Sequence, residues 1–398
     1  MARPSSSSSP FSIIFLILLL SINSISSSSG SPEDLAAAAA AALFIFGDST
    51  IDPGNNNYIE TTSDMKANHQ PYGQNGFFDK PTGRFTDGRV IVDFIAEFAK
   101  LPIIPPFLQP SASFVNGANF GSGGAGVLPE TNQGLVIDLQ TQLKQFDEVR
   151  SNLIEGLGDK KARELISQAV YFISIGSNDY IAGYVLNPKI SEAYRPEEFV
   201  SMVIGNLSQS IQALYDKGAR KFCFLSLCPL GCLPILRAAN PKADGGCFED
   251  ISALASAHNN ALAAVLTSLA HILKGFKYAN SDFYSWLDYR IQHPSKYGFK
   301  DGVSACCGSG PYGGVYSCGR TKEASGYQVC ENPEDFVWWD SFHASERIHE
   351  QIAKTLWSDP PSSVGPYNLE KLFLGEEELR IADVVDVEDG WGDFGTTA

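Results

Sequence analysis

The sequence predicts an α/β fold in which a central parallel sheet is covered on both faces by helices. Three observations carry that expectation. The strand-like runs are apolar at consecutive rather than alternating positions, as strands buried on both faces are. Helix-period segments separate them, the alternation that a parallel sheet requires. No internal repeat or linker divides the chain, and its 398 residues, 44% of them hydrophobic, suffice for one large core.

Taken in order, residues 1–30 read as an export signal. Arg3 lies in a short polar segment, FSIIFLILLL follows at 11–20, and serines lead to Gly30. The apolar run falls short of the roughly 18 residues a membrane-spanning helix needs, so a cleaved leader is expected rather than a transmembrane anchor. An alanine-rich joint covers 31–41, and one domain covers 42–374. Within the domain the pattern predicts a strand over 43–46, a helix over 90–100 and a helix over 139–153. A strand over 169–176, a helix over 197–218 and a strand over 219–227 come next. The series closes with a helix near 249–273, a strand over 276–282, a helix near 283–293 and a last helix near 345–357. From 375 to 398 acidic residues crowd in against Arg380 alone, with no Asp-x-Asp-x-Asp-Gly spacing. A solvated, disordered tail is expected there rather than a calcium loop.

Charge limits the partners. A formal net charge of -16, with no basic stripe to offset it, repels phosphate backbones, so no nucleic-acid partner is expected. The eight cysteines include no Cys-x-x-Cys and no histidine at ligand spacing, which favours disulfides over zinc and predicts an oxidising compartment. The expected bridges are Cys232–Cys247 and two among Cys306, Cys307, Cys318 and Cys330. Cys223, inside the strand-like KFCFLSL, is read as a buried free thiol.

In open parallel sheets ligands collect beyond the carboxyl ends of strands. Three such places stand out: Ser49, directly after the first strand in Gly47-Asp48-Ser49; the run GANFGSGGAG at 117–126, after a short apolar FVN; and Gly176-Ser177-Asn178-Asp179, after YFISI. A serine hydroxyl is a poor nucleophile until a base takes its proton, and the base must itself be oriented by a third group. Of the six histidines, His258 and His271 sit within helical pattern, His69 and His293 lie beside proline-containing loops, and His349 is on the exposed-looking last helix. His343 is the exception, with Asp340 three residues before it, so that one turn of chain brings carboxylate and imidazole together. Oxyanion stabilisation would come from the backbone N–H of Ser49, an N–H of the glycine run and the side-chain amide of Asn178. An imidazole base must be neutral, so activity is expected to fall below about pH 6–7.

These four blocks, in this order and spacing, resemble those of the GDSL (SGNH) hydrolases. The chain from about 42 to 372 is similar to the plant GDSL esterase/lipases, with further matches in DPGNNNY at 52–58, PYGQNGFFDKPTGRFTDGR at 71–89, PLGCLP at 229–234 and SKYGFKDGVSACCGSGP at 295–311. The resemblance implies a flavodoxin-like α/β/α sandwich, no metal or organic cofactor, and a secreted hydrolase of small-molecule or lipid esters located in the apoplast or cell wall. It implies Ser49 as nucleophile and first oxyanion donor, Gly124 rather than Gly123 as second donor, Asn178 as third, and Asp340 and His343 as orienter and base. One departure is visible: the family's Pro-Thr-Glu after the histidine is Ala344-Ser345-Glu346 here, with Ser345 expected to cap the following helix. Asn206 heads the only glycosylation sequon.

Other readings fit less well. No Gly-x-Ser-x-Gly occurs, which excludes the nucleophile elbow of α/β-hydrolases. Of two Gly-x-Gly-x-x-Gly matches, the one from Gly121 lacks the strand-borne acidic residue of a dinucleotide site, and the one from Gly308 abuts a cysteine pair and contains Pro311. An inactive binding protein and an acyltransferase using the same acyl-enzyme stay open on sequence alone.

Overall fold

The computed structural model describes residues 42–375, apart from 241, 243–244 and 320–325. The expected leader, the alanine-rich joint and all but the first residue of the acidic tail lie outside the described residues.

The first strand, β1 (Leu43–Gly47), is buried along its whole length and leads through a long loop to α1 (Ile91–Phe98). Then come β2 (Gly117–Asn119), α2 (Leu139–Leu157), α3 (Asp159–Gln168) and β3 (Val170–Ser174), the last buried at all its positions. A π-helical segment, Asp179–Val185, precedes α4 (Pro188–Ala193), α5 (Pro196–Asp216), β4 (Lys221–Leu225) and α6 (Pro234–Ala239). The remainder runs through α7 (Glu249–Ile272), β5 (Lys277–Ser281), α8 (Phe283–Gln292), β6 (Asp301–Ala305), β7 (Cys307–Gly308), β8 (Gln328–Val329) and β9 (Phe336–Trp338). It ends with α9 (Glu346–Ser358), β10 (Val364–Pro366) and α10 (Leu369–Leu374).

The main sheet has the order β10-β5-β4-β3-β1-β2. Its first five strands in sequence are mutually parallel, and β10 closes the edge antiparallel to β5, a departure from the all-parallel expectation. The order 2-1-3-4-5 is that of flavodoxin-like sheets, in which the chain winds one way from β1 to β2 and the other way from β3 onward. Helices accordingly form two layers: α1, α9 and α10 pack together, as do α2, α5 and α7. The crevice opens where the winding reverses, between the carboxyl ends of β1 and β3.

Three expectations are corrected at this level. The strand expected at FVN is displaced to Gly117–Asn119, because parallel pairing to Leu43–Ile45 needs backbone that β1 can approach closely: a Cβ on Gly117 would lie 1.9 Å from the Leu43 carbonyl oxygen. The helix over 139–153 extends to Leu157 and is followed at once by α3, with Gly158 at φ +82 making the break. His349 is buried rather than exposed, since it lies on the face of α9 that packs on α1 and accepts a hydrogen bond from the N–H of Ile91 at 3.2 Å.

The disulfides are Cys232–Cys247, Cys306–Cys330 and Cys307–Cys318, and Cys223 is a buried free thiol. The last two bridges surround a small second core that includes Tyr72, Phe85 and Trp339. Asn206 lies within α5, where its amide donates to the Met202 carbonyl at 2.9 Å. Among the described residues, no helix is long and apolar enough to cross a membrane.

Candidate active site

Ser49 follows β1 in a turn whose shape depends on Gly47. That glycine has φ +150, and a Cβ there would stand 1.9 Å from the Ser174 carbonyl oxygen on the adjacent β3. Its own N–H and C=O are both held by the buried side chain of Gln142 on α2, at 2.8 Å each. Asp48 points inward and accepts from the Thr50 N–H at 3.0 Å. Burial pushes its carboxyl up to about 6 against the pull of that hydrogen bond. The strand thus ends in a fixed turn with the Ser49 side chain at the mouth of the crevice.

Asp340 and His343 arrive from the other end of the chain, on the loop between β9 and α9. His343 folds back so that its carbonyl accepts from the Trp339 N–H at 2.7 Å. Its Nδ1 lies 2.8 Å from Oδ1 and 3.0 Å from Oδ2 of Asp340, and its Nε2 lies 2.8 Å from the Ser49 Oγ. The Phe85 ring lies over the imidazole at 4.9 Å between centroids. Asp340 is fully buried. Burial by itself would raise its pKa, but the adjacent His343 charge and hydrogen bond, the Tyr72 hydroxyl and the Phe342 N–H together hold it below the usual carboxylate range. A hydroxyl bonded to an imidazole whose far nitrogen donates to a buried carboxylate can lose its proton as it attacks.

The glycine run passes beside Ser49 and is clamped by DPGNNN. Asp52 accepts from the Gly123 N–H at 2.8 Å. Asn56 donates to the Gly123 carbonyl at 2.9 Å, and Asn55 to the carbonyls of Asn119 and Gly121 at 2.9 and 2.8 Å. The consecutive asparagines therefore serve as side-chain donors to a segment that has left the sheet and lost its ladder. Gly123 spends its N–H on Asp52. Among the described residues, the backbone N–H groups of Gly124, at φ +85, and of Ser49 have no hydrogen-bond partner. Asn178 begins the turn after β3, and its amide donates one hydrogen to the Ala125 carbonyl at 3.0 Å. The next residue, Asp179, is buried and accepts from the N–H groups of Val127 and Leu128 and from the Thr131 hydroxyl. It thereby ties the π-helical segment to the end of the glycine run.

Ser49, Gly124, Asn178 and His343 line one cleft. Its remaining wall is mostly apolar, with Ile181, Ala182 and Leu186 following Asn178, Leu230 and Leu233 from PLGCLP, and Phe342. Four of the five expected site residues thus line one cleft, and the fifth, Asp340, is buried behind it in contact with His343. His258 lies apart from the Ser49–His343–Asp340 chain, bonded to the Tyr180 hydroxyl at 2.9 Å, and burial drives both it and His349 down to about 3. Among the described residues, no group of three or more His, Cys, Asp or Glu is placed to hold a metal ion.

Several contributors were not read from the sequence. Gln142 acts on Gly47, and no motif or local spacing marks it. Tyr72 and Phe85 in the 71–89 segment, and Asp52 with the asparagines, were visible within motifs without a role. Ser345 was expected to cap α9, but its hydroxyl donates to the Phe336 carbonyl at 2.7 Å. The helix N-terminus is bonded by Asp87 instead, whose Oδ1 accepts from the Glu346 N–H at 2.8 Å.

Comparison with known proteins identifies the family. Residues 43–356 match the family model described as GDSL-like Lipase/Acylhydrolase. GDSL esterase/lipase 5 of Arabidopsis thaliana is 48% identical over 83% of this chain and 87% of its own length. A GDSL lipase of Tanacetum cinerariifolium is 46% identical over 85% and 89%, and GDSL esterase/lipase 4 of Arabidopsis thaliana is 47% identical over 83% and 90%. With the family model covering more than half of it and relatives covering 83–85% of it, the chain belongs to the GDSL-like lipase/acylhydrolase family and is a carboxylic ester hydrolase.

Proposed function

We propose that the protein is a secreted hydrolase of small-molecule or lipid esters that works through an acyl-enzyme on Ser49. One observation carries the reading: the continuous chain of hydrogen bonds from the Ser49 hydroxyl through His343 to Asp340. In the first step Ser49 Oγ attacks the ester carbonyl carbon while His343 Nε2 takes the hydroxyl proton. Asp340 orients the ring and stabilises the imidazolium. The oxyanion accepts from the N–H groups of Ser49 and Gly124 and from the second amide hydrogen of Asn178. Gly124 is favoured over Gly123 because the Gly123 N–H is already committed to Asp52. Collapse expels the alcohol, which recovers the proton from Nε2, and water then releases the acid by the reverse sequence. The apolar side of the cleft suits the acyl chain of the ester. Three disulfides support an oxidising destination for the protein.

A fluorophosphonate probe tests the core of the reading. Wild type is expected to be labelled at Ser49 and Ser49→Ala to be unlabelled, with hydrolysis of p-nitrophenyl butyrate lost by a factor of roughly 10⁴ or more. Unlabelled wild type, or a Ser49→Ala variant that still hydrolyses the ester, would overturn it.

A further inference from the structure

We infer that Tyr72 is a positioning residue of this site: its phenol fixes the Asp340 carboxylate, and through it the His343 ring, in the orientation that aims Nε2 at Ser49. The inference rests on the triad reading above and adds a residue to it.

The carboxylate of Asp340 is fully buried, so its lone pairs must be satisfied by the protein. Oδ1 accepts the backbone N–H groups of Phe342 and His343, each at 2.8 Å, which the loop supplies whatever its side chains are. Oδ2 accepts the Tyr72 hydroxyl at 2.7 Å. His343 Nδ1 straddles the two oxygens at 2.8 and 3.0 Å. Among the described residues, Tyr72 is therefore the side chain other than His343 that holds the second oxygen, and its removal leaves Oδ2 with His343 Nδ1 alone while Oδ1 keeps its two N–H donors.

The phenol is itself well held. Tyr72 is 1% exposed, and its ring meets those of Trp339 and Phe85 edge to face, both at 6.1 Å between centroids. Trp339 is the chain neighbour of Asp340, and Phe85 covers the His343 imidazole. The same small core contains the disulfides Cys306–Cys330 and Cys307–Cys318, so Tyr72 connects a cross-linked scaffold to the catalytic carboxylate.

The hydrogen bond also has an electrostatic effect. A donor on Oδ2 disperses carboxylate charge that would otherwise act on His343, so losing it favours the imidazolium. Asp48 and His349, which also interact electrostatically with His343, keep their side chains in Tyr72→Phe.

The test compares pH profiles of p-nitrophenyl butyrate hydrolysis for wild type, Tyr72→Phe, and enzyme carrying 3-fluorotyrosine at position 72, with Ser49→Ala as reference. Tyr72→Phe keeps the ring packing and is expected to lower kcat about tenfold with KM within about twofold. The acidic limb of kcat/KM should move up by about half a pH unit. The more acidic fluorophenol donates more strongly and should move that limb down. An unchanged kcat and limb in folded Tyr72→Phe, beside an inactive Ser49→Ala, would overturn the role of Tyr72 and leave the triad intact. An active Ser49→Ala would remove the triad itself. Should Tyr72→Phe fail to fold, the fluorotyrosine enzyme decides alone, and a limb that stays in place overturns the inference.

Discussion

Asn178 has two tasks, because one amide hydrogen holds the glycine run through Ala125 while the other is proposed to meet the oxyanion. Removing the amide should therefore act on the rate more than on binding. For Asn178→Ala we expect kcat to fall by on the order of 10²–10³ with KM changed only a few-fold, measured by steady-state hydrolysis of a short ester. A loss confined to KM would argue against a transition-state role. At this scale the sequence was informative where chemistry is local. Ser49 stands at a strand end and Asp340 and His343 are one turn apart, so residue type and spacing pointed to them. Tyr72 and Gln142 carry no such mark, since each meets its partner through the fold, 268 residues away for Tyr72 and 95 for Gln142.

Among the elements, α9 starts under a carboxylate supplied by a distant motif. Asp87, from the GRFTDGR segment, accepts the N–H of Glu346, the first residue of the helix, while the Ser345 hydroxyl makes no cap hydrogen bond. Burial, partly opposed by the Glu346 N–H and reinforced by the Glu346 charge, pushes the Asp87 carboxyl up to about 6. A carboxyl raised in this way favours the folded state fully below its unfolded value near 3.8 and loses that contribution as pH rises through 6. An asparagine at this position would keep an acceptor and lack the ionisation. Relative to wild type, Asp87→Asn should thus gain stability between pH 4 and pH 8, by on the order of 1–3 kcal/mol in urea unfolding. A difference between the two proteins that is constant with pH would contradict this. The elements themselves were legible where an apolar period ran long, as in α2, α5 and α7. They were not where pairing overrode composition. A strand of Gly-Ala-Asn has no strand propensity, and β10, with a proline, is placed by its antiparallel contact with β5.

Over the whole molecule, the crevice at the reversal of strand winding collects segments from β1, β3 and the β9–α9 loop, and the disulfide-bonded region buttresses the last of these. Cys306 and Cys307 donate their N–H groups to the carbonyls of Trp338 and Trp339, at 3.0 and 2.7 Å, immediately before Asp340. Removing Cys306–Cys330, which closes a separation of 24 residues, should cost about 2–4 kcal/mol of stability in the paired Cys306→Ser, Cys330→Ser variant. Because the bridge stands next to the carboxylate, kcat should fall as well, even at temperatures where circular dichroism reports a fully folded protein. Full activity in a folded variant would confine the bridge to stability. The overall architecture was legible because doubly apolar strands alternating with helices leave few alternatives. The order of strands and the partner of each cysteine in the closely spaced cluster depend on three-dimensional closure, which one-dimensional patterning does not record.

Ser49 and His343 meet across 294 positions of chain. A ribosome that has finished the first three hundred residues has already produced the Ser49 hydroxyl, the glycine run and all five parallel strands of the main sheet, yet the imidazole proposed to accept the hydroxyl's proton has still to be made. Truncated translation products that end before His343 are therefore expected to be silent towards esters, with hydrolysis beginning only once the final portion of the domain has emerged and docked.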